Sequence, residues 1–137
     1  MTDGKRKPFF TSIDRAPTRQ MKLGRGTGIK LVNEETGSPK VDVHLNLIND
    51  NSGQGEVHFH QHADNVYVVL EGVLEVTVEG ERHLLKANDV GFIPAGTVHS
   101  AGSAGGYGTT KVLEIYAPSG YDFHVVESFA NPVEVKK

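Results

Sequence analysis

The chain has 137 residues and a net charge of −3, enough for one domain around a single core and too little for two. Its apolar share is 37%, and 16 glycines with only 7% aromatics point to many turns and short strands rather than long helices. The absence of cysteine excludes disulfides, thiolate metal sites and cysteine nucleophiles. No apolar run approaches the ~20 residues needed to span a bilayer, and Met1–Phe10 carries charge without a following apolar core, so the expectation is a soluble cytoplasmic protein with no membrane partner.

Residues 1–27 read as an irregular arm, broken by Pro8, Pro17, Gly24 and Gly26. Residues 1–30 hold eight basic side chains against Asp3 and Asp14, a local +6 that leaves −9 for the remainder. Beyond Phe9–Phe10 the arm lacks interleaved aromatics, so a nucleic-acid partner is not expected.

The body, residues 28–128, reads as strand, turn, strand. Gly28–Val32 is a short strand and 33–39 a turn. Val41–Ile48 alternates, with Val41, Val43, Leu45 and Leu47 on one face and Asp42, His44 and Asn46 on the other. Core logic turns the apolar face inward and leaves His44 on the surface; with the opposite face inward, His44 is a general-base candidate. Strands follow at Val57–His60, Val66–Leu70, Val73–Val78, Arg82–Leu85 and Val90–Ile93. Gly102–Gly108 reads as a flexible loop, placed to act as a lid or as a plain surface turn. Lys111–Tyr116 and Asp122–Val126 are the last strands, and residues 129–137 form a loose tail. No segment keeps a 3.6-residue period over three turns. Roughly eight to ten short strands at regular spacing imply an all-β, antiparallel sandwich or barrel.

His58-Phe59-His60 is the densest chemical feature. On a strand, residues i and i+2 share a face, so the two imidazoles project together and offer two-thirds of a metal site. Imidazole suits zinc, iron, manganese, nickel and copper at roughly 2.0–2.2 Å. A third ligand must come from elsewhere.

The stretches around this motif and around Pro94-Ala95-Gly96-Thr97-Val98-His99 together resemble the two signature motifs of the cupin superfamily, over about residues 41–117. The first pairs HxH with a later glutamate and a closing glycine, here Gly72. The second carries PxG followed after two residues by histidine, here His99. The resemblance implies a double-stranded β-helix, or jelly-roll barrel, with a metal inside on His58, His60 and His99. Departures occur at turn positions: Ser52 and Asn88 stand where the family has glycines, and Ser103 where it has asparagine. The important departure is the family's glutamate ligand, whose place is held by Asn65. Three arrangements remain open: Asn65 as an oxygen ligand or hydrogen-bond donor, Asp64 after a one-residue shift, or His62 as a further nitrogen. Asp64 and Asn65 cannot both face inward without a bulge. The favoured arrangement has Asn65 inward, three histidine ligands and His62 on a surface corner.

Three neutral imidazoles leave the full +2 charge on an ion, which favours a small anionic, chelating substrate. Among cupins, the three-histidine variant resembles small-molecule dioxygenases, making Fe(II) the favoured ion; lyases and isomerases use similar cores, and a non-catalytic ligand-binding module is the alternative. Tyr67 shares a strand face with Asn65 and would point to the metal as a proton donor, or pack in the barrel with its hydroxyl at the rim. His83 and His124 have no motif around them. Arg15, Arg19 and Arg25 are placed to close over the barrel mouth and bind a carboxylate. Resemblance to small cupins implies a homodimer.

Overall fold

The computed structural model describes residues 6–135; residues 1–5 of the basic arm and 136–137 of the tail lie outside them. Among the described residues, eleven strands make two antiparallel sheets. The six-stranded sheet runs, in spatial order, β1 (Thr18–Gln20), β2 (Gly26–Val32), β3 (Asp42–Ile48), β10 (Thr110–Ala117), β5 (Asp64–Glu71) and β8 (Val90–Ile93). The five-stranded sheet runs β11 (His124–Val125), β4 (His58–Phe59), β9 (His99–Ser103), β6 (Val73–Val78) and β7 (Glu81–Lys86). Consecutive strands repeatedly change sheet, so the architecture is the expected double-stranded β-helix.

Two strands exceed the expected set. Part of the arm pairs with the body, Thr18–Gln20 lying antiparallel to Thr27–Ile29. The run His99–Ser103 is also a strand, paired to β6 from Leu74↔Ser103 to Val78↔His99. Its small polar residues carry no period-two apolar signal, because Ser100 and Gly102 are buried under the chain at Gln54. A Cβ on Gly102 would lie 2.1 Å from the Gly53 carbonyl oxygen, so only glycine fits there.

The core between the sheets joins Ile48, Tyr67, Val69, Ile93 and Val112 from the larger sheet to Leu74 and Val76 from the smaller. Met21, from the arm, packs against it. Ile48, Val69, Val112 and Leu74 fill one end of the barrel, and Tyr67 and Ile93 reach from it towards the other. A second apolar layer lies on the outer face of the larger sheet, where Ala16 of the arm packs with Ile29 and Leu45, flanked by Leu31, Leu47 and Leu113.

That second layer reverses the expectation for β3. Leu45 and Leu47 face outward beneath the arm, while Asp42, His44, Asn46 and Ile48 face the barrel interior. His44 is therefore no surface residue: it stacks on Tyr116 at 5.4 Å, and Asn46 donates from Nδ2 to the Glu114 carboxylate inside the barrel. A sheet covered on both faces can place either set of alternating residues inward.

Register then arranges the interior of the larger sheet in rows. Asp42, Tyr116, Asn65 and Ile93 lie across one row; His44, Glu114, Tyr67 and Gly91 across the next; Asn46, Val112 and Val69 across the third. Polar residues crowd the first two rows, and the apolar plug begins at the third.

Candidate metal centre

His58 and His60 come from the short strand β4 and its end, and His99 opens β9 directly opposite His58. Their ring centroids are 4.3 Å (His58–His99), 4.9 Å (His58–His60) and 5.4 Å (His60–His99) apart. One ring nitrogen from each lies within 4.8 Å of the other two. All three residues are buried.

Each ring is held by its other nitrogen. His58 Nδ1 donates to the Glu56 carbonyl at 2.7 Å, His60 Nδ1 to the Asp122 carbonyl at 2.6 Å, and His99 Nδ1 to the Thr97 carbonyl at 2.9 Å. A carbonyl can only accept, so each Nδ1 carries the proton and each Nε2 presents a lone pair. The Nε2 atoms of His60 and His99 are buried and have no protein partner. Burial, reinforced by the neighbouring imidazoles, pushes His58 down to about 3 and His99 to about 4, and lowers His60. Neutral, oriented imidazoles with unmatched inward nitrogens are what a divalent transition ion requires, and the three residues fit one.

Asp122 braces the ligand strand. Its carboxylate accepts N–H hydrogen bonds from Gln61 (2.8 Å), His62 (2.7 Å) and Ala63 (3.0 Å). Partial burial disfavours its charge, but these three donors outweigh that and hold the carboxyl near 2. His124 adds a contact to Asp122 at 3.0 Å and another to Glu134 at 2.9 Å, so this histidine ties the C-terminal segment to the site. Phe123 stacks on His58 at 4.1 Å.

The residues that compete for a fourth ligand position are separated by the fold. Asn65 is fully buried; its Nδ2 donates to the Ile115 carbonyl at 3.3 Å and its Oδ1 has no partner. Asp64 is exposed and its carboxylate accepts the Ala95 N–H. His62 is exposed on the corner that Asp122 holds. Neither Asp64 nor His62 joins the three histidines.

Tyr67 points inward, with its ring 6.5 Å from that of His99, and Tyr116 lies 4.7 Å from His60. Glu114 sits opposite Tyr67 in register and two residues before Tyr116, so its carboxylate faces the histidines from across the barrel. It is 7% exposed and accepts from Tyr116 Oη at 3.0 Å and from Asn46. Burial, with the charge of Glu114, drives both phenols well above the usual range, so they are neutral donors. Burial opposes a charge on His44, but its 2.9 Å hydrogen bond to Asp42 and the nearby Glu114 outweigh this and raise its pKa.

Glu114 and Tyr116 are additions that sequence reasoning missed. The remaining expectations divide. Arg25 is half-buried, donating to the Ala101 carbonyl at 3.2 Å, whereas Arg15 bonds locally to Ser12 and Arg19 is exposed on β1. The segment after β9 is no lid: Gly106 N–H bonds to Asp50 at the plugged end, away from His99.

The pattern of the cupin domain family matches residues 48–116, half of the chain, and includes all three histidines. The chain belongs to the cupin domain family. It is 45% identical over 51 residues to quercetin 2,3-dioxygenase of Bacillus subtilis, covering 35% of this chain and 15% of that protein. The cupin spans between 15% and 51% of the length of the curated relatives it matches. Among solved structures, the polyketide cyclase RemF from Streptomyces resistomycificus aligns with a TM-score of 0.75 at 18% identity, covering 92% of this chain and 90% of that one. KdgF from Halomonas sp. aligns at 0.71 with 19% identity, covering 83% and 96%. At these identities the structural likenesses establish the fold alone. Among the described residues of this cupin, no helix is long and apolar enough to cross a membrane.

Proposed function

We propose that this cupin is a metal-dependent enzyme acting on a small anionic, chelating substrate, with Fe(II)-type dioxygenation as the leading reaction. The observation that carries this reading is the convergence of three neutral imidazoles whose Nδ1 atoms are all committed to backbone carbonyls. His58, His60 and His99 would hold the ion, and Asn65, buried with an unpartnered Oδ1 in the row of Tyr116, is the candidate for a weak further oxygen ligand. One bound divalent ion supplies Lewis acidity and, as iron, the redox change that O₂ chemistry needs. The partial identity to a quercetin 2,3-dioxygenase supports the oxygenase reading.

The protein's own groups bind and move protons. Tyr67 and Tyr116, neutral and beside His99 and His60, donate hydrogen bonds to a substrate oxyanion. Glu114, across the barrel, is placed to accept a substrate proton. That buried carboxylate favours a second reading, a metal-dependent lyase or isomerase whose central step is proton transfer.

Exposed Val90 and Phe92 stand beside Val68 and Val66 on the outer face of the larger sheet. This apolar face supports a homodimer. The cysteine-free composition supports a cytoplasmic setting.

The test is metal analysis of untagged protein purified without added metal, followed by oxygen-electrode assays on the Fe(II)-loaded form with small acids, thiols and diketones. Near one equivalent of iron with substrate-dependent O₂ uptake supports the oxygenase. Manganese, nickel or zinc, with solvent-deuterium exchange into the substrate and no O₂ uptake, moves the protein to the second reading. Stoichiometric metal with neither activity leaves a ligand-binding cupin, and no metal uptake at all overturns the metal centre.

A further inference from the structure

Strands β7 and β8 follow one another in the chain but belong to different sheets: β7 ends the order of the smaller sheet and β8 that of the larger. The two sheets therefore part along this flank. A cavity of about 340 Å³ lies in the gap.

Pleating decides which side chains wall it. Val76 pairs with His83 and Leu74 with Leu85, so His83 and Leu85 share the inward face of buried Val76 and Leu74. On β8, Gly91 lies opposite Tyr67 and Ile93 opposite Asn65, both of which are buried in the barrel. Val76, Leu85, Gly91 and Ile93 all line the cavity, joined by Pro94 and Thr97 of the turn before β9. The back of the cavity is the core itself, because Val76 and Ile93 belong to it and Leu85 packs against it. Exposed Val90 and Phe92 carry the apolar lining to the rim. Gly91 makes part of the space: an added Cβ would lie 3.1 Å from Leu85 Cδ2 and 3.7 Å from Tyr67 Cδ2. Its backbone is not left-handed, so conformation does not demand glycine there.

The chemistry of the wall restricts what enters. None of the described residues lining it carries a carboxylate, an ammonium or a guanidinium group. Its one imidazole, His83, is half-exposed and bonded to Glu81 at 3.2 Å. An ion would lose water here without gaining a partner, and a neutral apolar molecule would not. An apolar cavity of ~150 Å³ already holds benzene, so this one has room for one or two fused rings. One turn of a partner's helix, ~10 Å across and ~5.4 Å high, exceeds the space.

We infer that the gap between β7 and β8 is a binding site for a small neutral aromatic molecule. It is separate from the three histidines, none of which lines it. Tyr67 neighbours both, with its ring 6.5 Å from that of His99 and its edge behind Gly91.

The test is NMR of protein labelled at its Ile, Leu and Val methyl groups, titrated with indole, and with benzoate and benzylammonium as charged counterparts. Ring-current shifts should appear at Val76, Leu85 and Ile93 and leave Leu45 and Leu113, on the far side of the larger sheet, unmoved. The charged probes should bind at least tenfold more weakly than indole. Gly91→Ala narrows the cavity and Leu85→Phe fills it, so each should weaken indole about fivefold or more. Thermal unfolding checks that each variant is folded; should one not fold, the other decides. Affinity for indole should be equal in protein as purified and after chelator treatment, which makes the outcome independent of the metal reading. Absence of binding, shifts elsewhere, indifference to charge, or wild-type affinity in a folded variant would overturn the site. Indole binding lost with the metal would assign the probe to the three histidines instead. Affinity that falls as protein concentration rises, with light scattering reporting a dimer, would give the cavity to a second copy of the chain and overturn the inference as well.

Discussion

The backbone carbonyl of Asp122 accepts the Nδ1 hydrogen of His60 at 2.6 Å, while the carboxylate of the same residue gathers the N–H groups of the three residues that follow His60. One residue near the C-terminus therefore sets both, the tautomer of a metal-ligand candidate through its carbonyl and the path of the chain leaving it through its carboxylate. Asp122→Ala keeps that carbonyl but releases the three N–H groups that hold the chain after His60, so the ring loses its fixed position and metal binding should weaken roughly 10-fold. Competition against a chelator measures this, and the visible spectrum of the cobalt form should broaden as the geometry loosens. Unchanged affinity and spectrum would reduce Asp122 to a loop staple.

His99 is the one histidine of the set contributed by β9. His99→Ala should remove stoichiometric metal while leaving a folded barrel, because the plug of Val69, Leu74 and Val112 lies at the other end. Elemental analysis checks it; a variant that keeps a full equivalent would show that the ligands lie elsewhere.

Acid should destabilise the metal-free protein in a defined window. Folded His58 and His99 resist protonation until about pH 3 and 4, whereas the unfolded chain takes up these protons near 6.5. Below pH 6.5 the unfolded state binds more protons, so stability falls as pH drops from there towards 4 and then 3. At pH 5 each residue costs about 2 kcal/mol, and Tm should lie roughly 10 °C below its value at pH 7.5. His44 and His124, whose pKa values are raised, act in the opposite direction. The comparison is therefore with the His58→Ala/His99→Ala double variant, which should lose most of the acid-induced drop. Parallel Tm curves for the two proteins would contradict it.

Glu114→Gln should retain metal and fold while lowering turnover about 10²–10⁴-fold if the carboxylate accepts a proton. Steady-state rates across pH check this, since the glutamine variant must also lose one limb of the profile. A full rate in the variant would restrict Glu114 to holding Asn46 and Tyr116 in place.

The apolar outer face offers a separate check. If the proposed homodimer forms through this face, the wild type should run as a dimer in light scattering and Phe92→Lys as a monomer, because this side chain is exposed on the outer face; a wild type that runs as a monomer would overturn the dimer.

The three-histidine cluster is legible in the sequence because HxH and PxGxxH encode local geometry. Alternation on a strand puts His58 beside His60, and the turn before His99 is written in proline and glycine. Glu114 was not legible. In Val112-Leu113-Glu114-Ile115-Tyr116 every neighbour is apolar or aromatic, and nothing local tells whether the acid faces solvent or cavity. Only the pairing of β10 with β3 and β5 puts it opposite His44 and Tyr67. His44 was misplaced for a related reason. The arm supplies an outer cover for Leu45 and Leu47, and that contact spans distant parts of the chain.

The three clustered histidines belong to one sheet, and the Glu114 carboxylate and the two phenols belong to the other. Under the proposed function the scaffold is modular across its thickness: changes on one wall would alter which ion is retained, and changes on the opposite wall what is done to the bound molecule. Val112 on one wall and Leu74 on the other share one core cluster, so trimming either would leave a void that lets the walls close. Divergence among proteins built this way needs no new loop, only exchange of residues facing a common gap.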